Sequence, residues 1–178
     1  MATDVAAASE APLVAATGFN VAAGPAAACL ARFGLVDANK AIEASLRRAE
    51  VASASTAILL QKPGLSVVAL PPSLKITNPR SNACILVSGQ TRVLLWQPDM
   101  AFGTFAFGTR GKPVMQLQQS LARTGHYHSN IDGLAGQHTM IAIAEFQRSQ
   151  GIEATGYPDT LTRFVIEQEA GAASPESL

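Results

Sequence analysis

No stretch of this sequence approaches the ~20 consecutive apolar residues that cross a bilayer, so a membrane span is not expected. Nor is there a surplus of charge. Thirteen basic residues balance thirteen acidic ones, which removes the long-range positive field with which a nucleic-acid binder gathers phosphates. Cysteine is scarce: Cys29 and Cys84 alone exclude a disulfide framework and a CxxC zinc pair, and leave a single bridge open. HExxH, a Gly-rich phosphate loop and a nucleophile elbow are all absent, so no ready-made catalytic motif or cofactor cradle is expected. The Ala-rich opening lacks a basic start and is interrupted by Asp4, Glu10, Pro12, Asn20 and Pro25. It is not expected to be an export signal, and the small residues before Cys29 are read as a packing segment rather than a lipoprotein cleavage site.

What is present is a chain of 178 residues, 48% apolar, enough to bury a core in one domain or two small ones. Residues 1–23 are Ala-, Ser- and Gly-rich without a sustained period and read as an extended or disordered arm. "GPAAACLARFG" reads as a short helix, with Pro25 in its first turn and Gly34 past its end. A second helix is expected from a cap at Asp37, with Ala38, Ile42, Leu46 and Ala49 at helical spacing and Arg47 and Arg48 at the negative end of the dipole.

From Thr56 the pattern changes to short apolar runs separated by turn residues: "TAILLQ", "LSVVAL", "SLKIT", "ACILVS" and "TRVLLW". Such punctuation marks a small antiparallel sheet. "ILVSGQTRVLLW" is the clearest hairpin, turning at Ser88 to Gln90. "MAFGTFAFGTRGKP" reads as a linker or irregular strand whose Phe102, Phe105 and Phe107 pack on the neighbouring domain, because a solvated linker rarely carries so many aromatics. The region 24–106 is thus helices plus a small sheet.

The helical period returns at Gly111. Val114, Leu117 and Leu121 share a face that ends at Gly125; Ala142, Ile143 and Phe146 repeat the device before Gly151; and "PDTLTRFVIE" starts a third helix with Pro158 and Asp159 in its first turn. Gly133 precedes Thr139 by the same interval at which Gly156 precedes Thr162. Thr139 and Thr162 are expected to offer their hydroxyls to free first-turn amides, and Phe146 to fill the centre of the core. Residues 169–178, "EAGAASPESL", read as a disordered tail.

Over residues 110–168 these positions resemble the peptidoglycan-binding-like domain, a three-helix module attached to many bacterial wall hydrolases. The match rests on Val114, Leu117, Gln118, Leu121 and Gly125; on Ile131-Asp132-Gly133, Gly136 and Thr139; and on Ala142, Ile143, Phe146-Gln147, Gly151-Ile152, Gly156 and Thr162. The resemblance implies a three-helix fold for this domain; with the N-terminal helices and small antiparallel sheet read from the pattern before it, the expected class is α+β. The resemblance also implies peptidoglycan, glycan or stem peptide, as partner. Most of the diagnostic positions serve folding, and specify a ligand only by association. A fainter similarity joins "VLLWQP", leading into the domain, to the periplasmic end of the type II secretion ATPase A component, where a degenerate papain-like peptidase domain precedes the module.

A wall polymer is polar and extended, so its receptor needs a groove with an aromatic platform and several amides or hydroxyls. The expected ligand-binding residues are Gln118, Tyr127, Asn130, Gln137 and Arg148: the Tyr127 ring for stacking, the others for carboxylate and amide groups. A zinc site from His126, His128, His138 and Asp132 is not expected, because the spacing fits no zinc motif and an extended "HYH" points its two rings to opposite faces. Cys84 lies in an apolar strand, where a thiol is buried and inert, and Glu43 and Glu50 belong to a solvated helix face. No enzyme, metal or cofactor is therefore expected. The expected role is non-catalytic anchoring of a larger assembly, a phage or secretion component, at the cell envelope, in the periplasm, outside the cell or on a virion. The alternative is a structural assembly protein, a homo-oligomer or part of a larger assembly, that uses the module as a protein–protein adaptor.

Overall fold

A computed structural model describes residues 25–35, 42, 48, 50–60, 62–76, 78–99 and 103–172. The elements in chain order are α1 (Pro25–Arg32), α2 (Val51–Leu59), β1 (Ser66–Ala69), β2 (Ala83–Ser88), β3 (Thr91–Trp96), α3 (Lys112–Arg123), α4 (Gln137–Ser149) and α5 (Thr160–Ala172). The α+β class expected from the sequence is the class observed. Among the described residues no helix is long and apolar enough to cross a membrane.

The sheet has the order β1-β3-β2, both pairings antiparallel. β3 is central, and its run of Val93, Leu94, Leu95 and Trp96 is buried on both faces because each face carries its own helical layer. Side chains alternate along a strand. Val67, Cys84, Leu86, Val93 and Leu95 therefore face one way, onto Leu30 and Phe33 of the α1 region and Ile58 of α2. Val68, Ile85, Leu94 and Trp96 face the other way, onto Leu117, Leu121, Phe146 and Phe164 of α3 to α5. Trp96 meets Phe164 edge to face at 5.6 Å, and the Arg163 guanidinium lies 5.4 Å from the Trp96 ring centre. Sheet and C-terminal helices share one core. The hairpin is as read: Ser88 pairs with Thr91, and Gly89 (φ 57°) supplies the positive φ that a two-residue loop asks of its first position.

Three helices stop in the same way. After α1, α3 and α4, the amides of Gly34, Gly125 and Gly151 donate to Ala31, Ala122 and Arg148, and the next amides, Leu35, His126 and Ile152, reach five residues back to Leu30, Leu121 and Gln147 at 2.8–2.9 Å. This is the Schellman closure, which satisfies orphan carbonyls through a left-handed glycine.

Several expectations require correction. "TAILLQ" is not a strand, since α2 runs through Leu59. The segment carries little β-branching, and Ser55 and Thr56 fold their hydroxyls back onto the carbonyls of Val51 and Ala52. "SLKIT" is not a strand either: after Leu70 the Pro71-Pro72 pair breaks the ladder, and Leu74 is held instead by its amide donating to Pro71 and its carbonyl accepting from Arg92 Nη1 at 2.7 Å. Of the three linker phenylalanines, Phe105 packs on the core beside Tyr157, Phe107 is 69% exposed, and Phe102 lies outside the described residues. Asp159 precedes α5 and caps it, accepting from the Thr162 amide at 2.7 Å. Residues 169–172, expected in the tail, continue α5. The arm, 1–23, the tail beyond 172 and most of the helix expected from Asp37 lie outside the described residues; Ile42 is helical and buried against the first face of the sheet.

Cys29 and Cys84, the bridge the sequence left open, form a disulfide that ties α1 to β2 across a Cα separation of 5.9 Å. The bridge closes a loop of 55 residues, and chain-entropy reasoning puts its contribution at about 4 kcal/mol. Replacing Cys84 by Ser is expected to lower the unfolding free energy by about that amount, read as a fall in the urea midpoint; an unchanged midpoint contradicts the bridge.

Candidate functional site

The C-terminal domain is organised around two side chains that sequence patterning alone would place among the solvated polar residues. Gln118 on α3 and Gln147 on α4 are both 0% exposed. A primary amide offers a carbonyl acceptor and two N–H donors on one rigid plane. Gln118 Oε1 accepts from the Gly133 amide at 2.9 Å, and its Nε2 faces Asp132 Oδ1, Tyr127 Oη, Thr139 Oγ1 and the Leu134 carbonyl at 2.9–3.1 Å. Gln147 repeats the arrangement. Its Oε1 accepts from Gly156 at 2.9 Å, while Nε2 faces the Tyr157 carbonyl, Thr162 Oγ1 and Thr155 Oγ1 at 2.9–3.1 Å.

The shared Gly-to-Thr interval now has a physical meaning. Each glutamine clamps a loop glycine with one end of its amide and the following helix's threonine with the other. The glycines are required twice over: Gly133 (φ 68°) and Gly156 (φ 73°) have left-handed backbone, and a Cβ on either would sit 3.2 Å from a carbonyl oxygen, that of Gly111 or Met140. The threonines do not cap first-turn amides as expected. Thr139 Oγ1 donates to the Leu134 carbonyl, and both hydroxyls accept from the glutamines.

Beside the first clamp lies a groove of about 510 Å³ at the start of α4, lined by Tyr127, Ser129, Asn130, Asp132, Gln137 and His138 among others. Gly136 stands at the N-cap of α4 and supplies no side-chain cap, so the first-turn amides have no side-chain acceptor from it. Ser129 Oγ and His138 Nδ1 lie 2.6 Å apart on the groove wall. Asp132 Oδ1 accepts from the Leu134 amide at 2.9 Å as well as from Gln118. The Gln118 amide first, then the Leu134 N–H, hold the Asp132 carboxyl below the usual carboxylate range, against a smaller opposing effect of desolvation.

Of the expected ligand-binding residues, the structure brings Tyr127, Asn130 and Gln137 together at this groove. It places Gln118 behind the floor, its amide consumed by internal bonds. Tyr127 is 6% exposed, its hydroxyl donating to the Asn130 carbonyl at 2.9 Å, which leaves little ring surface for stacking. Arg148 is exposed in the last turn of α4, eleven residues from Gln137 and therefore about 16 Å along the helix. The three histidines do not converge: His126 stands edge-on to Phe146 at 5.2 Å with Nδ1 beside Thr124 Oγ1, His128 is exposed, and His138 lines the groove. Among the described residues no group of three His, Cys, Asp or Glu is placed to hold a metal ion. Cys84, as a disulfide, presents no thiol. Sequence reasoning passed over Ser129 and His138 as a linked pair and Gln147 as a clamp; the second was signalled by the apolar-Gln dipeptides Leu117-Gln118 and Phe146-Gln147.

Residues 110–165 match the family model described as "Putative peptidoglycan binding domain", and the match takes in both clamps and the groove. Among curated proteins the chain is similar to "Putative OxPP cycle protein OpcA" of Synechococcus elongatus, 43% identical over 53 residues, which is 30% of this chain and 12% of that protein. The chain thus matches only a small part of that relative's length. No solved structure matches. The similarity of the "VLLWQP" segment to the type II secretion component is not shown by these comparisons.

Replacing Gln147 by Leu leaves the buried Gly156 amide and the buried Thr162 hydroxyl without the Gln147 partner, and is expected to cost on the order of 3 kcal/mol by urea unfolding; a cost below about 1 kcal/mol contradicts the clamp. The Asp132 carboxyl has a lower pKa folded than unfolded. Its stabilisation is therefore present above the ordinary Asp value of about 4 and lost as pH falls through the folded value. Asp132→Asn is expected to flatten the acid limb of stability against pH below about 4, and an unaltered limb contradicts the coupling.

Proposed function

We propose that the chain is a non-catalytic wall-binding protein that uses its domain at 110–165 to hold a larger assembly on peptidoglycan. The observation that carries this reading is the family match over residues 110–165, which falls on a unit folded in full, with both clamps formed. The α4 groove supplies what such a polymer needs: hydrogen-bonding side chains from Asn130, Gln137, Ser129 and His138, and uncapped first-turn amides that favour a carboxylate or carbonyl. A domain of this family suggests a cell-envelope location, and the Cys29–Cys84 bridge is at home in an oxidising compartment. One groove makes few contacts, so residence on the wall comes from many equivalent sites in the polymer or several copies of the protein.

A second reading is favoured by one observation. The curated relative that shares similarity carries a name referring to the OxPP cycle rather than to the wall, which supports reuse of the module as a protein–protein adaptor within a structural assembly.

Co-sedimentation with purified sacculi separates the two. The wall reading expects saturable pelleting that survives moderate salt, weakened about tenfold by Asn130→Ala with Gln137→Ala and left unchanged by Arg148→Ala. A large homo-oligomer that does not pellet supports the adaptor, and loss of pelleting in Arg148→Ala alone moves the site off the groove.

A further inference from the structure

The far side of the domain holds a second cleft, of about 260 Å³, where the polar stripe of α3 (Gln116, Gln119, Ser120, Arg123) faces Glu167 and Gly171 of α5 and the ends of the sheet, Arg80 before β2 and Asp99 after β3. Its charges are of both signs. Among the described residues, however, none of Arg80, Arg123, Asp99 and Glu167 is in an ion pair. Asp99 Oδ1 accepts from Asn82 Nδ2 at 3.4 Å, and Arg163 and Arg80 act on Glu167 by their charge, so opposite charges gathered around one small cavity retain attraction for a ligand that carries both signs. Burial, and then the neighbouring Asp99 carboxylate, raise the pKa of Glu167, whereas Arg163 and Arg80 act in the opposite sense.

Gly171 ties this cleft to the sequence. Gly171 is the penultimate residue of α5, and no positive φ calls for glycine at this position. A Cβ at 171 would instead run into the guanidinium of Arg80, whose atoms lie 2.5–2.9 Å from where that carbon would stand. The missing side chain lets the Arg80 guanidinium pack against the α5 backbone at the wall of the cleft, where it acts on Glu167 by its charge without a close ion pair. The volume is below the ~300–1,000 Å³ of drug-sized sites and suits an amino acid or dipeptide.

We propose that this cleft is a second binding site, separate from the α4 groove, that takes the zwitterionic end of an amino acid or short peptide, the carboxylate against Arg80 and Arg123 and the ammonium against Asp99 and Glu167. The site goes beyond the wall reading, and pelleting with sacculi can fail while this cleft still binds.

The test is a titration of the full chain with alanyl-alanine, followed by amide chemical shifts, beside N-acetyl-alanyl-alanine and alanyl-alaninamide. The expected result is shifts confined to residues around Arg80, Asp99, Arg123 and Glu167, with the doubly charged dipeptide bound at least about tenfold more tightly than either capped form. Gly171→Ala, which displaces Arg80 but keeps a good helix former, is expected to weaken binding about as much as Arg80→Gln does, with the urea midpoint held or raised. Equal binding of a capped form, shifts at the α4 groove instead, full binding by Gly171→Ala and Arg80→Gln, or no shifts at all would each overturn the proposal.

Discussion

Two buried carboxamides hold the C-terminal domain in shape. Short helices of this length are marginal alone, and the loops between them carry backbone groups that must be satisfied once they are buried. Gln118 and Gln147 meet that demand with a single plane of atoms each, one end taking a glycine N–H and the other a threonine hydroxyl and a loop carbonyl. Remove either amide and both the loop and the start of the following helix lose their partner at once. The α4 groove inherits its shape from the first clamp, because Tyr127, Asp132 and Thr139, which line it, are the groups Gln118 gathers.

The sheet extends this constraint to the rest of the described chain. β3 is buried on both faces, with Leu94 and Trp96 in the core of the helical domain and Val93 and Leu95 in the core beneath α1 and α2. The disulfide fastens the outer layer to β2. The mixed-charge cleft sits where the ends of the sheet meet α3 and α5.

Much of this was legible in advance for a physical reason: α3 and α4 each bury one face and end on glycine, and the β2–β3 hairpin turns on one, so period and punctuation agree at Val114, Leu117, Leu121 and Gly125, and turn chemistry marks Ser88 and Gly89. α2 was not. Its Ala and Ser residues have no strong pattern, and among its described side chains Ile58 is buried in the core and Val51 packs against it, while Leu59 and Leu60 are exposed. "SLKIT" looked like a strand because it is a short apolar run between turn residues, yet among its described residues only Leu74 is buried and the prolines deny it a ladder. The site was half legible. Asn130 and Gln137 were read as groove residues from their place in a loop and at a helix start, and they line it. Gln118 was read as a ligand contact because residue type does not distinguish a glutamine facing water from one buried and fully bonded; the spacing to Gly133 and Thr139, repeated from Gln147 to Gly156 and Thr162, did carry that information. Arg148 shares a helix with Gln137 but stands at its other end, and the charged cleft draws on residues so far apart in sequence that no local pattern could assemble it.

The most direct measurement of the central claim is native-state hydrogen exchange at the Gly133 and Gly156 amides, each of which has a glutamine side-chain oxygen as its acceptor. If the clamps hold the domain, both amides exchange only through global unfolding, with the same free energy and denaturant dependence as the core amides of α4. Exchange of either at the rate of an open loop, while α4 stays protected, would contradict the account.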